Sequence, residues 1–173
     1  MASPDDPDTI IVLDQGRTIE LAHADATRYH GPGSPGGLAL AYRAMQRGLP
    51  LVAPNGVPER REVDVRTAFG GPGARDAFEL VLRAVSGDRY VVDAALERGD
   101  LAATRARFVF RLSYRGRVAT LVLREGFVTP DFIEMLAIDG RSAEQEARLT
   151  ELKEELAARV MAASPDDVFD AGA

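Results

Sequence analysis

The chain has 173 residues, enough for one domain with a sizeable core, and 46% of them are hydrophobic, near the globular average. Its net charge of −6 leaves no basic stripe, which argues against a general nucleic-acid binder. The absence of cysteine excludes disulfides, thiolate nucleophiles and cysteine-ligated zinc or iron–sulfur sites.

No apolar run reaches the ~18 residues of a membrane span. The acidic start, Met-Ala-Ser-Pro-Asp-Asp-Pro-Asp, lacks the basic and apolar regions of a signal peptide. The expectation is a soluble cytoplasmic protein with neither a membrane nor a nucleic-acid partner. Of the 21 basic residues only Lys153 is a lysine. The arginine excess is read as codon bias of a GC-rich genome, so no function is assigned to it.

Residues 1–8 are polar and proline-rich and read as a disordered tail. Residues 9–13 are β-branched and strand-like, Asp14-Gln15-Gly16 is a turn, and residues 17–21 form a second strand. Residues 23–28 read as ambiguous, with a short helix as one option. The stretch Tyr-His-Gly-Pro-Gly-Ser-Pro-Gly-Gly, residues 29–37, is a glycine-rich turn ahead of a helix. Such a turn gathers free backbone N–H groups and the positive end of a helix dipole, a place for an anion, a metal or a substrate. The plainer alternative is a sharp connection and nothing more.

A helix is expected over residues 38–47, because Leu38, Ala41, Tyr42, Met45 and Leu49 share a face, and Gly48 and Pro50 are expected to end it. Residues 61–69 alternate as a half-buried strand, with Val63, Val65 and Thr67 on one side. Gly70-Gly71-Pro72-Gly73 precedes a second helix over residues 74–85, and Tyr90-Val91-Val92 is a short strand. Residues 93–104 read as loop with one helical turn. Residues 107–114 and 117–124 form a hairpin about Arg115-Gly116, with Phe108, Phe110, Leu112 and Tyr114 pointing one way.

Thr129-Pro130 starts a helix that Asp139-Gly140 stops. Ser142 and Gln145 make a capping-box pattern for the last helix. Its stripe of Leu149, Leu152, Leu156 and Val160 packs either on its own domain or on a second copy of the chain, so a homodimer is one expectation. Residues 164–173 read as a disordered acidic tail.

Two segments resemble a known family, the FmdE-like proteins, named for a component of formylmethanofuran dehydrogenase. His30-Gly31-Pro32-Gly33-Ser34-Pro35-Gly36 is similar to the H-G-H-x-C-P-G motif that opens a helix in this family. Gly73-Ala74-Arg75-Asp76-Ala77-Phe78 is similar to the family's C-G-V-D-A-I segment, which starts its second helix, and the hairpin falls where the family has strands. The resemblance spans roughly residues 20–125. His30, Gly31, Pro35, Gly36, Asp76 and Ala77 match; Pro32, Ser34 and Gly73 stand where the family has His, Cys and Cys, and the family's cysteine-rich C-terminal ribbon has no counterpart.

The resemblance implies an α+β fold grouped with the glyceraldehyde-3-phosphate dehydrogenase catalytic domain: helices packed on one face of a mixed sheet with a C-terminal β-hairpin. The chain would divide into a tail (1–8), the α+β domain (9–140), a C-terminal helical extension (141–163) and a second tail (164–173). The family is associated with a metal, usually zinc, held by His and Cys. Here His30 remains, and His23 or a carboxylate is the candidate to complete a site for zinc or another divalent metal.

The expected function is binding of a small molecule, or of a metal in an altered site, at the 30–34 loop. His30, Gly31, Ser34, Gly36, Gly73, Arg75 and Asp76 are the candidate lining, and His30 is the candidate acid/base should the chain be an enzyme. The alternative is a non-catalytic accessory or assembly protein docking through its C-terminal helix. A serine nucleophile at Ser34 is disfavoured, because Pro35 lacks the backbone N–H that would form half of an oxyanion hole.

Overall fold

The computed structural model describes residues 8–172. It begins with a two-stranded antiparallel hairpin, β1 (Thr9–Asp14) and β2 (Arg17–Ala22). The turn residues Gln15 and Gly16 both have positive φ, 54° and 77°, the conformation a two-residue hairpin turn demands. The expected strands are there. The ambiguous stretch that follows is α1 (His23–His30).

The main sheet has five strands in the order β4 (Tyr90–Val92), β3 (Asp64–Thr67), β5 (Val109–Tyr114), β6 (Arg117–Leu123) and β7 (Phe169–Gly172). β3 and β4 are parallel and the other pairs antiparallel, so the sheet is mixed. Period-two alternation puts Phe110 and Leu112 of β5 on one buried face, while Arg111 and Ser113 are only partly covered on the other. Hairpin β5–β6 turns at Arg115 and Gly116, both at positive φ, as Arg-Gly predicts.

Helix α2 (Pro35–Val52) lies across the buried face against β5, β6 and β7 and is itself covered by α3 (Pro72–Leu82) and α6 (Ala143–Ala162). It is therefore longer than its sequence suggests at both ends. Pro35 starts it, fitting the preference of proline for the first helical turn. Gly48 and Pro50 do not stop it. A methyl at Gly48 would lie 2.6 Å from a Leu112 methyl and 2.9 Å from one of Leu121, so glycine is there to let the sheet approach rather than to end the helix. Pro50 falls in the last turn, where only one interior hydrogen bond is lost, and packing outweighs that local cost. The one charged residue buried in α2 is Arg43, whose guanidinium reaches Gln46 Oε1 and the Met161 carbonyl at 2.6 Å each and Asp8 at 3.0 Å.

Helix α3 starts at Pro72, two residues before the expected Ala74, and ends at Leu82, three before Val85. Its C-terminal carbonyls are taken by two arginines from elsewhere. Arg60, which is 7% exposed, donates to the carbonyls of Leu80 and Val81. Arg89 donates to Leu82 and Arg83 at 3.0 Å each and to Val63. Arg83 itself adopts φ 52°, a left-handed cap of the kind glycine usually supplies. These contacts satisfy the orphan carbonyls of a buried helix end, so part of the arginine content is structural and composition alone assigned it too little.

The other α-helices among the described residues are α4 (Ala103–Ala106), α5 (Pro130–Leu136), the long α6 and α7 (Pro165–Val168). The capping box at Ser142 and Gln145 is formed in both directions, at 2.9 and 3.2 Å. The α6 stripe is buried within the chain: Leu149, Leu152, Leu156 and Val160 belong to the same core as α2 and the sheet. It is not an open face for a second copy.

The expected disordered tail at residues 164–173 is overturned for residues 164–172. Ser164 caps α7, and β7 pairs antiparallel to β6, with Leu123 opposite Phe169. Val168 and Phe169 are fully buried, and the Phe169 ring stands edge-on to Phe110 at 5.7 Å. Two anchors among acidic and small residues are too few to lift a compositional signal, yet enough to hold an edge strand once a sheet awaits them. Of the expected N-terminal tail, residues 1–7 lie outside the described residues; Asp8 accepts through its carbonyl from His23 N–H at 3.1 Å and from Tyr42 Oη at 2.5 Å. No helix among the described residues is long and apolar enough to cross a membrane.

Because β7 closes the core, Phe169→Ala is expected to cost about 3–5 kcal/mol of unfolding free energy in urea denaturation. A loss below about 1 kcal/mol would mean that the terminal strand contributes little.

Candidate functional site

The glycine-rich stretch divides between two helices. Tyr29 and His30 are the last turn of α1, Pro35 to Gly37 are the first turn of α2, and only residues 31–34 connect them. Gly31, at φ 79° and ψ −166°, takes a conformation open to glycine, and its N–H closes α1 on the Thr27 carbonyl at 2.9 Å. Ser34 occupies the N-cap of α2, but its hydroxyl makes no capping bond; its carbonyl accepts from Leu38 N–H at 3.2 Å.

The start of α3 comes up against this loop. A methyl at Gly73 would lie 2.2 Å from the Ser34 carbonyl oxygen, 2.8 Å from Leu38 N and 3.1 Å from Ser34 Cβ. Two helix N-termini thus meet backbone to backbone, and glycine at position 73 is a condition of that approach. Gly36 serves the opposite side of α2, where an added methyl would meet Leu156 at 2.8 Å. It packs the helix and faces α6 rather than the loop.

His30 Nδ1 lies 2.7 Å from Asp76 Oδ2, joining the end of α1 to the second turn of α3. With α3 beginning at Pro72, Asp76 stands beyond the first turn, where the helix dipole favours a carboxylate most. The imidazole is its partner instead. A carboxylate accepts and cannot donate, so in the neutral ring this contact puts the proton on Nδ1 and leaves the Nε2 lone pair as an acceptor. The His30 side chain is only 8% exposed, and Nε2 is buried with no hydrogen-bond partner among the described residues. A methyl on Gly33 would come within 4.0 Å of Nε2, so this nitrogen looks toward the connecting loop. Lys153 Nζ reaches the Gly33 carbonyl at 3.3 Å from α6.

Arg75 lies 3.5 Å from the other Asp76 oxygen, half exposed, a loose ion pair of small energetic weight. Of the candidate lining, then, His30, Asp76 and Arg75 are adjacent, Gly31 and Ser34 form the loop, Gly73 sets the helix approach, and Gly36 stands apart. Sequence reasoning missed Lys153, which reads as one more charge on an outer helix face, and Tyr90. The Tyr90 hydroxyl is buried without a partner among the described residues, and burial pushes its pKa up to about 12, with Arg75 opposing. No spacing in the sequence signals either residue, because both reach the region from distant elements.

His23, the second candidate metal ligand, begins α1 and stands edge-on to Tyr42 with ring centroids 5.3 Å apart. It sits seven residues before His30 on the same helix, about 10 Å along the axis at ~1.5 Å per residue. Among the described residues no group of three or more His, Cys, Asp or Glu is placed to hold a metal ion. Zinc asks for three or four such donors, and His30 and Asp76 are bonded to each other. The described residues do not fit a zinc centre. Four surface clefts, of about 490, 320, 240 and 390 Å³, are lined by other residues and do not reach His30.

Compared with known proteins, the chain matches no family model, and no curated sequence is similar enough to count as a match.

Two outcomes follow from this geometry. Gly73→Ala forces a methyl onto backbone that cannot turn away, and is expected to lower stability by about 2–3 kcal/mol in urea melts. Burial holds the His23 imidazole below its ordinary pKa, reinforced by Arg43 and opposed by Asp8. The unfolded chain, whose histidine titrates near ~6.5, therefore takes up this proton first, and stability falls as the pH drops below that value. Melts between about pH 8 and about pH 5 should show a shallower acid loss in His23→Gln than in the parent chain.

Proposed function

We propose that the chain is a divergent relative of the FmdE-like family, with the fold of the glyceraldehyde-3-phosphate dehydrogenase catalytic domain, and that it binds a small molecule at the His30–Asp76 pair. One observation carries the reading: a buried imidazole held by a carboxylate through Nδ1 at 2.7 Å, with Nε2 left without a partner among the described residues. Unpaired buried polar atoms are costly, and a ligand that supplies the missing bond is one explanation for such an atom. The contact between the two motif-bearing helix starts, Ser34 against Gly73, supports the family reading, since the motif positions adjoin.

The ligand would present an N–H or O–H to Nε2, entering past the loop of residues 31–34. Asp76 orients the ring through its contact with Nδ1, so that Nε2 is presented to the ligand. Zinc has no role in this reading, because the donors for it are too few. The accessory-protein alternative has less support, since the stripe meant to dock is covered by α2.

A thermal-shift screen with pterin-like compounds and other small N–H and O–H donors is expected to find a compound that raises Tm for the parent chain. His30→Asn should lose that rise. Gly33→Ala, which sets a methyl at ordinary contact distance from Nε2, should fold normally and weaken it. The same rise in His30→Asn for every compound would defeat the reading. Elemental analysis of purified protein should give zinc, iron and nickel below about a tenth of an equivalent; stoichiometric metal would restore a metal centre in its place.

A further inference from the structure

The cleft of about 490 Å³ lies far from the glycine loop, between β1, the second half of α2 and residues 53–58. Its walls include Ile10, Ile11, Met45, Leu49 and Val57, and not one lining residue carries a charge. Its size falls within the ~300–1,000 Å³ of small-ligand sites.

One wall is the open edge of a strand. In an antiparallel hairpin, alternate residues turn their N–H and C=O toward the partner strand and away from it. Leu13 N–H donates away from β2, to the Pro58 carbonyl at 2.9 Å. By the two-residue period, the backbone groups of Ile11 and Thr9 also point away from β2. Neither bonds to backbone outside the hairpin among the described residues. At Leu13 this edge is already taken by residues of the chain itself, with Glu59 as its parallel bridge partner. Toward Thr9 the chain diverges into the 53–57 loop, and the cleft opens where the third strand would continue. Thr9 Oγ1 is buried at this edge with no hydrogen-bond partner among the described residues.

We propose that this cleft binds an extended, uncharged peptide segment that adds to the free edge of β1, with its N–H and C=O paired to Thr9 and Ile11. The occupant's chemistry follows from the site. The open backbone asks for alternating donors and acceptors. The chain's own residues 58–59 show that this edge pairs with extended backbone. A lining free of charge selects uncharged side chains, which the accessible Ile11, Pro54 and Val57 would contact. Pairing at Thr9 and Ile11 reads about three residues, at ~3.3 Å each.

The test is a titration of the ¹⁵N-labelled full chain with an N-acetylated, C-amidated Val-Ile-Val tripeptide. Saturable shifts are expected at the Thr9 and Ile11 amides. Methylating the central peptide nitrogen should weaken binding about tenfold, because it removes one ladder bond and keeps the apolar contacts. Val57→Asp, at an exposed position, should fold and weaken binding. Thr9→Val should raise the Tm of the free chain, since it removes a buried hydroxyl with no partner among the described residues. His30→Asn should bind the tripeptide unchanged, which separates this site from the one above. Three results would each overturn the proposal: no shift at Thr9 or Ile11 at millimolar peptide, equal binding of the methylated peptide, or a concentration-dependent dimer that already covers the Ile11 amide.

Discussion

The burial of residues 38–45 of α2 on every side is the constraint on which the rest of the structure depends. A surface helix needs one apolar stripe; α2 needs cover from the sheet, α3 and α6 at once. Glycine marks each of those approaches: an added methyl would clash at Gly48 with Leu112 and Leu121 and at Gly36 with Leu156, and would be tight at Gly37 beside Phe69 and Ala74. The glycines that look like helix breakers in the sequence are the contact points of a central helix. Arg43 is tolerated there because its guanidinium is met by Gln46, Asp8 and the Met161 carbonyl.

The site at His30 is a consequence of the same packing. With α2 drawn deep into the core, its first turn and that of α3 are pressed together at Ser34 and Gly73, and the end of α1 is carried over them. That arrangement sets His30 against Asp76 and turns Nε2 inward, toward the loop. It also explains why cysteine has no room at position 73: any Cβ would enter the Ser34 carbonyl. The close approach of the two helices and the lack of a thiol donor at this point are one physical fact seen from two sides.

Much of the architecture was legible in the sequence. The two hairpins announced themselves through Gln-Gly and Arg-Gly turns between alternating strands, and α6 through its capping box and stripe. The strands at residues 64–67 and 90–92 and the helix after Gly73 were also readable, to within a few residues. The candidate site was legible as a set of residue types, with His30, Arg75 and Asp76 brought together as adjacent groups. Lys153 and Tyr90 were not, because they enter from α6 and β4, and sequence distance hides such neighbours.

By itself the sequence determined what is local: periodicity, turn chemistry, caps, and the absence of thiol chemistry. Those depend on residues within a turn or a strand of one another. The tertiary structure alone decided where α2 ends, that Arg60 and Arg89 close α3, and that residues 165–172 form a helix and a fifth strand. It also decided that the nitrogen of His30 opposite Asp76 has no partner among the described residues. Each of these is set by groups far apart in the chain, whose burial and hydrogen bonding outweigh the local preference of the residue concerned.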